Sequence, residues 1–147
     1  MSSIMKESIK PTSLSLFHAS LLEFLMTAKH GLIEVAKQYD LTPLQAITVV
    51  FIDVAIPKPM NAFQKLYSCD ASNVTGIIDG LEEKGLVTRS ELREDRRVKM
   101  VLLTAKGLIL QKELVKGFLQ IDSLILKDLS ESELDSFRSI IIKLAGK

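Results

Sequence analysis

Residues 69–104, CDASNVTGIIDGLEEKGLVTRSELREDRRVKMVLLT, hold the pattern that decides the fold. Asp70 stands where a helix N-cap belongs, and Val74, Ile77, Ile78 and Leu81 recur after it at helical spacing. Gly85 ends that helix as a residue free to take the left-handed conformation. Two runs follow, LVTRSEL (86–92) and VKMVLLT (98–104), whose Val and Thr content and rough alternation predict half-buried strands. Between them the chain places a knot of charge on a turn that lacks glycine. Upstream, Asn61 begins a short helix, AFQKLY, and Ser68-Cys69 is a tight turn. Short helix, turn, capped helix and β-hairpin, in that order, predict a winged helix-turn-helix.

That layout gives each part a task. The second helix buries one face and leaves Ser72, Asn73, Thr75, Gly76 and Asp79 on the other. Small polar residues near a helix N-terminus suit a major groove. Asn reads adenine in a bidentate way, Ser and Thr donate or accept, and the helix dipole favours phosphate. Gly76 permits close approach of the helix to DNA. The hairpin, or wing, region carries Lys84, Arg89, Arg93, Arg96, Arg97 and Lys99 against Glu91, Glu94 and Asp95. An arginine on a narrow hairpin tip can enter a narrow minor groove, where the potential is most negative. The acid beside it makes sense if Asp95 orients an arginine. The candidate DNA-binding residues are therefore Ser72, Asn73, Thr75, Gly76, Arg89, Arg96, Arg97 and Lys99, with Arg97 for the groove and Arg96 for a phosphate.

The rest of the chain reads as helix. Leu14, Phe17, Leu21, Leu22, Leu25, Leu32, Ile33 and Ala36 predict a long helix from Ser13 to about Tyr39, capped by Ser13 or Thr12 after Pro11. Thr42-Pro43 caps and starts a nearly all-apolar helix from Leu44 to about Ile52. DVAIPKPMN (53–61) is read as a loop, with Pro57 and Pro59 excluding regular structure. Thr104 caps a long helix from Ala105 to about Lys127, and Ser130 with Glu133 forms a capping box for a last helix, Glu131 to about Ala145. The fold class is mainly α with a small β-hairpin. The divisions are 1–40, an N-terminal dimerisation helix; 41–104, the winged helix-turn-helix; and 105–147, C-terminal dimerisation helices. Dimerisation is expected because the two long terminal regions carry more apolar surface than the small middle domain can cover.

Bulk properties exclude several classes. The chain has 147 residues, is 47% hydrophobic and 25% charged, and carries a net charge of +1, so polyanion binding must come from a local patch. One cysteine, Cys69, excludes an intramolecular disulfide and fits a reducing compartment. The N-terminal stretch MSSIMKESIKPTS has no apolar core of signal-peptide length, and AITVVFIDVAI (46–56) is too short to span a bilayer. The expected location is cytoplasmic, without membrane association. There is no glycine-rich phosphate loop, H-E-x-x-H, G-x-S-x-G or paired-carboxylate motif, so no enzyme and no cofactor is expected.

From Leu41 to Gly107 the sequence resembles the MarR family of bacterial transcription regulators. The stretches that carry the resemblance are LTPLQAITVV, CDASNVTGIIDGLEEKGLVTR and DRRVKMVLLTAKG. The last contains the D-x-R wing signature at Asp95 and Arg97, then L-T-x-x-G at Leu103, Thr104 and Gly107. The resemblance implies an obligate homodimer built from the terminal helices, reading a pseudo-palindromic operator in double-stranded DNA. It implies a recognition helix in the major groove, Arg97 in the minor groove, and action as a repressor. It also implies release by a small effector, often phenolic or aromatic, bound between the dimerisation helices and the winged domain; His18 and Leu22 are the candidate pocket residues. One departure stands out. Family members often carry a basic residue near Gly80, whereas the helix from Ala71 to Leu81 has none, which shifts phosphate anchoring to the wing and helix ends.

Blander readings compete at each point. Cys69 reads as a small semi-buried turn residue rather than a redox sensor. His18 and His30 lack a carboxylate or cysteine at ligand spacing, so no metal site is expected. Glu82-Glu83-Lys84 is most simply a solvated helix end. The weakly basic recognition helix supports an alternative function, a winged-helix protein-interaction module that does not read DNA.

Overall fold

The computed structural model describes residues 15–147. Six helices and three strands follow in the order α1 (Leu16–Gln38), α2 (Pro43–Phe51), β1 (Lys58–Pro59), α3 (Met60–Tyr67), α4 (Ala71–Glu83), β2 (Val87–Glu91), β3 (Lys99–Leu103), α5 (Ala105–Ile125) and α6 (Glu131–Leu144). Each expected element is present and the ends differ by a few residues. The start of α1 is an exception in detail. Its N-cap is Ser15, whose hydroxyl accepts from the His18 N–H, while Pro11, Thr12 and Ser13 lie outside the described residues.

Capping explains the other starts. Thr42 and Gln45 form a reciprocal capping box on α2, with Pro43 at the first helical position. Asp70 caps α4, Thr104 caps α5, and Ser130 with Glu133 caps α6. At the end of α4, Gly85 has φ +70°, its N–H donates to Glu82, and the Leu86 N–H reaches back to Leu81. That geometry is open to glycine at little cost and turns the chain sharply into β2.

The sheet corrects one expectation. The stretch 53–61 is not all loop, because Lys58 and Pro59 pair antiparallel with Val101 and Met100. The order is β1-β3-β2, so the hairpin is two strands of a three-stranded sheet. A proline without an N–H is tolerated there because β1 is a two-residue edge strand.

The core sits where α2, α3, α4 and the sheet meet. Ala46, Val49, Phe63, Ile78, Leu81 and Val101 are fully buried there. On its far side α1 packs along α5, and α5 also touches α2 and β3. By contrast α6 buries no residue, and its link to α1 is an edge-on contact between Phe24 and Phe137, with ring centroids 5.8 Å apart. Much apolar surface therefore stays open on the terminal helices: Phe17, Leu22 and Met26 on α1, Ile140, Ile141 and Leu144 on α6. No helix among the described residues is long and apolar enough to cross a membrane.

Candidate nucleic-acid interface

The helix-turn-helix is held from below. α3 lies on α2 through the Tyr67 hydroxyl, which hydrogen-bonds the Thr48 hydroxyl, and Thr48 in turn donates to the Leu44 carbonyl at 2.6 Å. Burial pushes the Tyr67 phenol up to about 12, and the Thr48 hydrogen bond only partly offsets it. Ser68 then takes φ +50°, and the Cys69 N–H closes on the Gln64 carbonyl at 3.2 Å. One carboxylate oxygen of Asp70 accepts from the Asn73 N–H at 2.9 Å and sets the first turn of α4.

With Val74, Ile78 and Leu81 turned into the core, Ser72, Asn73, Thr75, Gly76 and Asp79 are all exposed on the opposite face. The Thr75 hydroxyl donates to the Ala71 carbonyl at 2.9 Å, so its lone pairs face outward as acceptors. A Cβ at Gly76 meets nothing within 4 Å, so packing inside the protomer does not demand glycine there.

The wing projects from a firm base. Val101 is fully buried, and Leu92, Val98 and Met100 are half-buried. At the tip, Asp95 to Val98 is a turn closed by the Val98 N–H on the Asp95 carbonyl at 3.0 Å. The Asp95 carboxylate accepts from the Arg97 backbone N–H at 3.0 Å, while the Arg97 Nε is 3.9 Å from the same oxygen. Asp95 thus holds Arg97 through the main chain, as Asp does at the first position of a turn. The Arg97 side chain is 96% exposed, and Arg96 is exposed with no ion pair among the described residues.

Two expected DNA contacts are placed differently. Arg89 shares with buried Val87 the face of β2 turned towards α4. Its guanidinium bonds Asp79 and stands 3.0 Å from a Glu82 carboxylate oxygen. Lys99 pairs across the hairpin with Glu91, its register partner. Lys84 turns the other way, to the Asp40 carbonyl at 2.7 Å and its carboxylate at 3.2 Å. The Arg89 bridge and the turn of Lys84 join residues across a helix end, which linear spacing does not disclose.

His18 and Leu22 lie exposed on α1. The His18 ring stays local, with Nδ1 2.6 Å from the Ser15 hydroxyl oxygen. Two shallow clefts occur elsewhere, one along α5 at Val115 and Leu119, the other at the corner of Lys37, Asp40, Gln45 and Lys84. Neither is lined by His18 or Leu22. Cys69 is a free, half-buried turn residue.

The family model described as "MarR family" matches residues 41–99, from just before α2 to the first residue of β3. That match takes in the helix-turn-helix and the turn of the wing. Solved MarR-type structures extend the likeness along the chain. A crystal structure of MarR superposes with a TM-score of 0.79 at 20% identity, covering 92% of each chain. The YusO protein from Bacillus subtilis gives 0.64 at 26% identity, over 88% of this chain and 92% of that one. A mutant MarR from E. coli, solved in complex with operator DNA, gives 0.72 at 21% identity, over 89% of this chain and 99% of that one. The terminal helices thus share the MarR arrangement as well as the domain between them. The fold is that of the MarR-type winged-helix structures.

Proposed function

We propose that this protein is a homodimeric MarR-type regulator that reads a pseudo-palindromic operator and represses until a small effector binds. The carrying observation is one surface. The exposed polar face of α4 stands beside a rigid wing whose Arg96 and Arg97 are free of carboxylate ion pairs of normal length. In this reading Ser72, Asn73, Thr75 and Gly76 enter the major groove, Arg97 the flanking minor groove, and Arg96 meets a phosphate. The exposed apolar surface of α1 and α6 supports a dimer, since so much open leucine and isoleucine is unusual on a monomer. Two reading heads would then lie about one helical turn apart, each on a half-site. Release needs only an effector that favours a dimer geometry with a different head spacing. His18 and Leu22 belong to that effector site only in the assembled dimer.

The test is a gel shift on the DNA upstream of the protein's own gene, with wild type and Arg97→Ala. The variant should bind about 1–3 kcal/mol more weakly with its dimer mass unchanged. Equal affinity would remove the wing from the reading. A second reading, a winged-helix module that binds protein, draws on the uncharged first half of α4 and the acids Asp79, Glu82 and Glu83 in its second half. It predicts no salt-sensitive DNA binding at all.

A further inference from the structure

A recognition helix with no lysine or arginine from Ala71 to Glu83, and with Asp79, Glu82 and Glu83 in its second half, should repel the phosphates on either side of a groove. The structure holds a remedy on the neighbouring strand. Arg89 reaches back from β2 to both Asp79 and Glu82. Its side chain is only 25% exposed, whereas the two carboxylate side chains are 59% and 43% exposed. The arginine is therefore less accessible than either acid it bridges. Nearby cations cannot substitute, since Lys84 is turned to Asp40 and Lys99 to Glu91.

We propose that Arg89 is a positioning residue that masks the acids of the recognition helix, not a phosphate contact. This rests on the DNA-reading function proposed above and deepens it. In the mask, one guanidinium bridges two carboxylates and offsets one of the two negative charges that would otherwise face the DNA, and it does so without donating to the backbone of the DNA.

The experiment separates three roles for Arg89. A duplex is first selected by the wild-type protein from a random pool, and its affinity is then measured over a range of salt. Four proteins are compared: wild type, Arg89→Ala, Asp79→Ala/Glu82→Ala, and the triple variant. Alanine is used because asparagine at position 79 can itself read adenine. With the mask removed, Arg89→Ala should lose roughly 10- to 100-fold in affinity, from two uncovered carboxylates near phosphate. The triple variant should return to within about threefold of wild type, with an unchanged salt slope, because no phosphate contact has gone. A triple variant as weak as Arg89→Ala, with a slope shallower by about 0.9, would make Arg89 a phosphate contact. An equally weak triple variant with the slope unchanged would make Arg89 a strut for the wing. Either result overturns the mask and leaves DNA reading standing. If the wild-type protein enriches no duplex, DNA reading and the mask fall together.

Discussion

Replacing Gly107 with alanine should destabilise the protein, although alanine is the better helix former. Gly107 is in the first turn of α5, where the swap alone is worth about 1 kcal/mol in favour of alanine. Space decides otherwise. A Cβ at Gly107 would stand 2.0 Å from the Leu86 carbonyl oxygen and 3.0 Å from its carbon. Carbon–oxygen contacts normally settle near about 3.3–3.6 Å, so backbone must move by more than 1 Å. The carbonyl that moves accepts from the Thr104 N–H at 3.1 Å. The Thr104 hydroxyl meanwhile donates to Gly85 at 2.6 Å and accepts from Gly107 at 3.0 Å. Losing one backbone bond and weakening a helix cap removes about 2–4 kcal/mol, and the propensity gain returns about 1, for a net loss of about 1–3 kcal/mol. Gly76→Ala is the control. Nothing lies within 4 Å of its Cβ, so the same change should stabilise by about 0.5–1 kcal/mol. Urea unfolding at matched protomer concentrations reads both signs, since a dimer's midpoint moves with concentration. A Gly107→Ala midpoint equal to or above wild type would refute the close approach and reduce the L-T-x-x-G motif to an ordinary cap.

At the wing tip, Asp95→Ala should weaken operator binding while Asp95→Asn stays near wild type, because the asparagine oxygen can still accept from the Arg97 N–H; equal losses in a gel shift would make charge, not the turn bond, the reason for Asp95. In the core, Tyr67→Phe should cost about 0.5–1.5 kcal/mol in urea unfolding, since Thr48 keeps its Leu44 acceptor. The raised phenol sets a pH window with a definite sign. Its contribution is whole below the unfolded value of 10.0 and is lost as pH rises towards about 12, so wild type should lose more stability than Tyr67→Phe across that span. Ile141→Glu should yield monomers by sedimentation with the protomer's helicity unchanged, because α6 buries nothing in the protomer; a dimer that survives would place the interface elsewhere.

Local chemistry was legible in the sequence. Thr42-Pro43, Asp70, Thr104 and the Ser130–Glu133 pair each act within one helical turn, and each caps the helix expected of it. The outward face of α4 was legible for the same reason, since three-and-four spacing alone sorts Val74, Ile78 and Leu81 from Ser72, Asn73 and Thr75. Pairings across elements were not. Lys58-Pro59 became a strand because β3 offered a free edge, an offer that no local propensity encodes. Arg89 looked like one more wing cation until the turn at Gly85 folded β2 back against α4 and set it beside Asp79 and Glu82. Cation count therefore does not disclose which wing cations are already paired, as Arg89 and Lys99 are.

In the regulation proposed above, the mechanical part falls to α5. Its first turn is locked to the wing base by the Thr104 and Gly107 contacts with Gly85 and Leu86. Two turns on, the Gln111 amide donates to the Val49 and Ile52 carbonyls at 2.8 Å each, satisfying the open end of α2. Further along, α5 packs on α1, whose outward side is the exposed apolar surface proposed for the dimer. One continuous helix thus grips the wing, the helix under α4 and the α1 surface proposed for the dimer frame. A helix 21 residues long transmits a tilt along its whole length rather than absorbing it at a joint. An effector at the frame would then need no pathway of small side-chain shifts to reach the DNA surface. Changing the angle at which two copies of α1 and α6 meet would carry both reading heads with it. The wing base and the end of α4 would move as one body, because the α5 cap holds Gly85 and Leu86 between them.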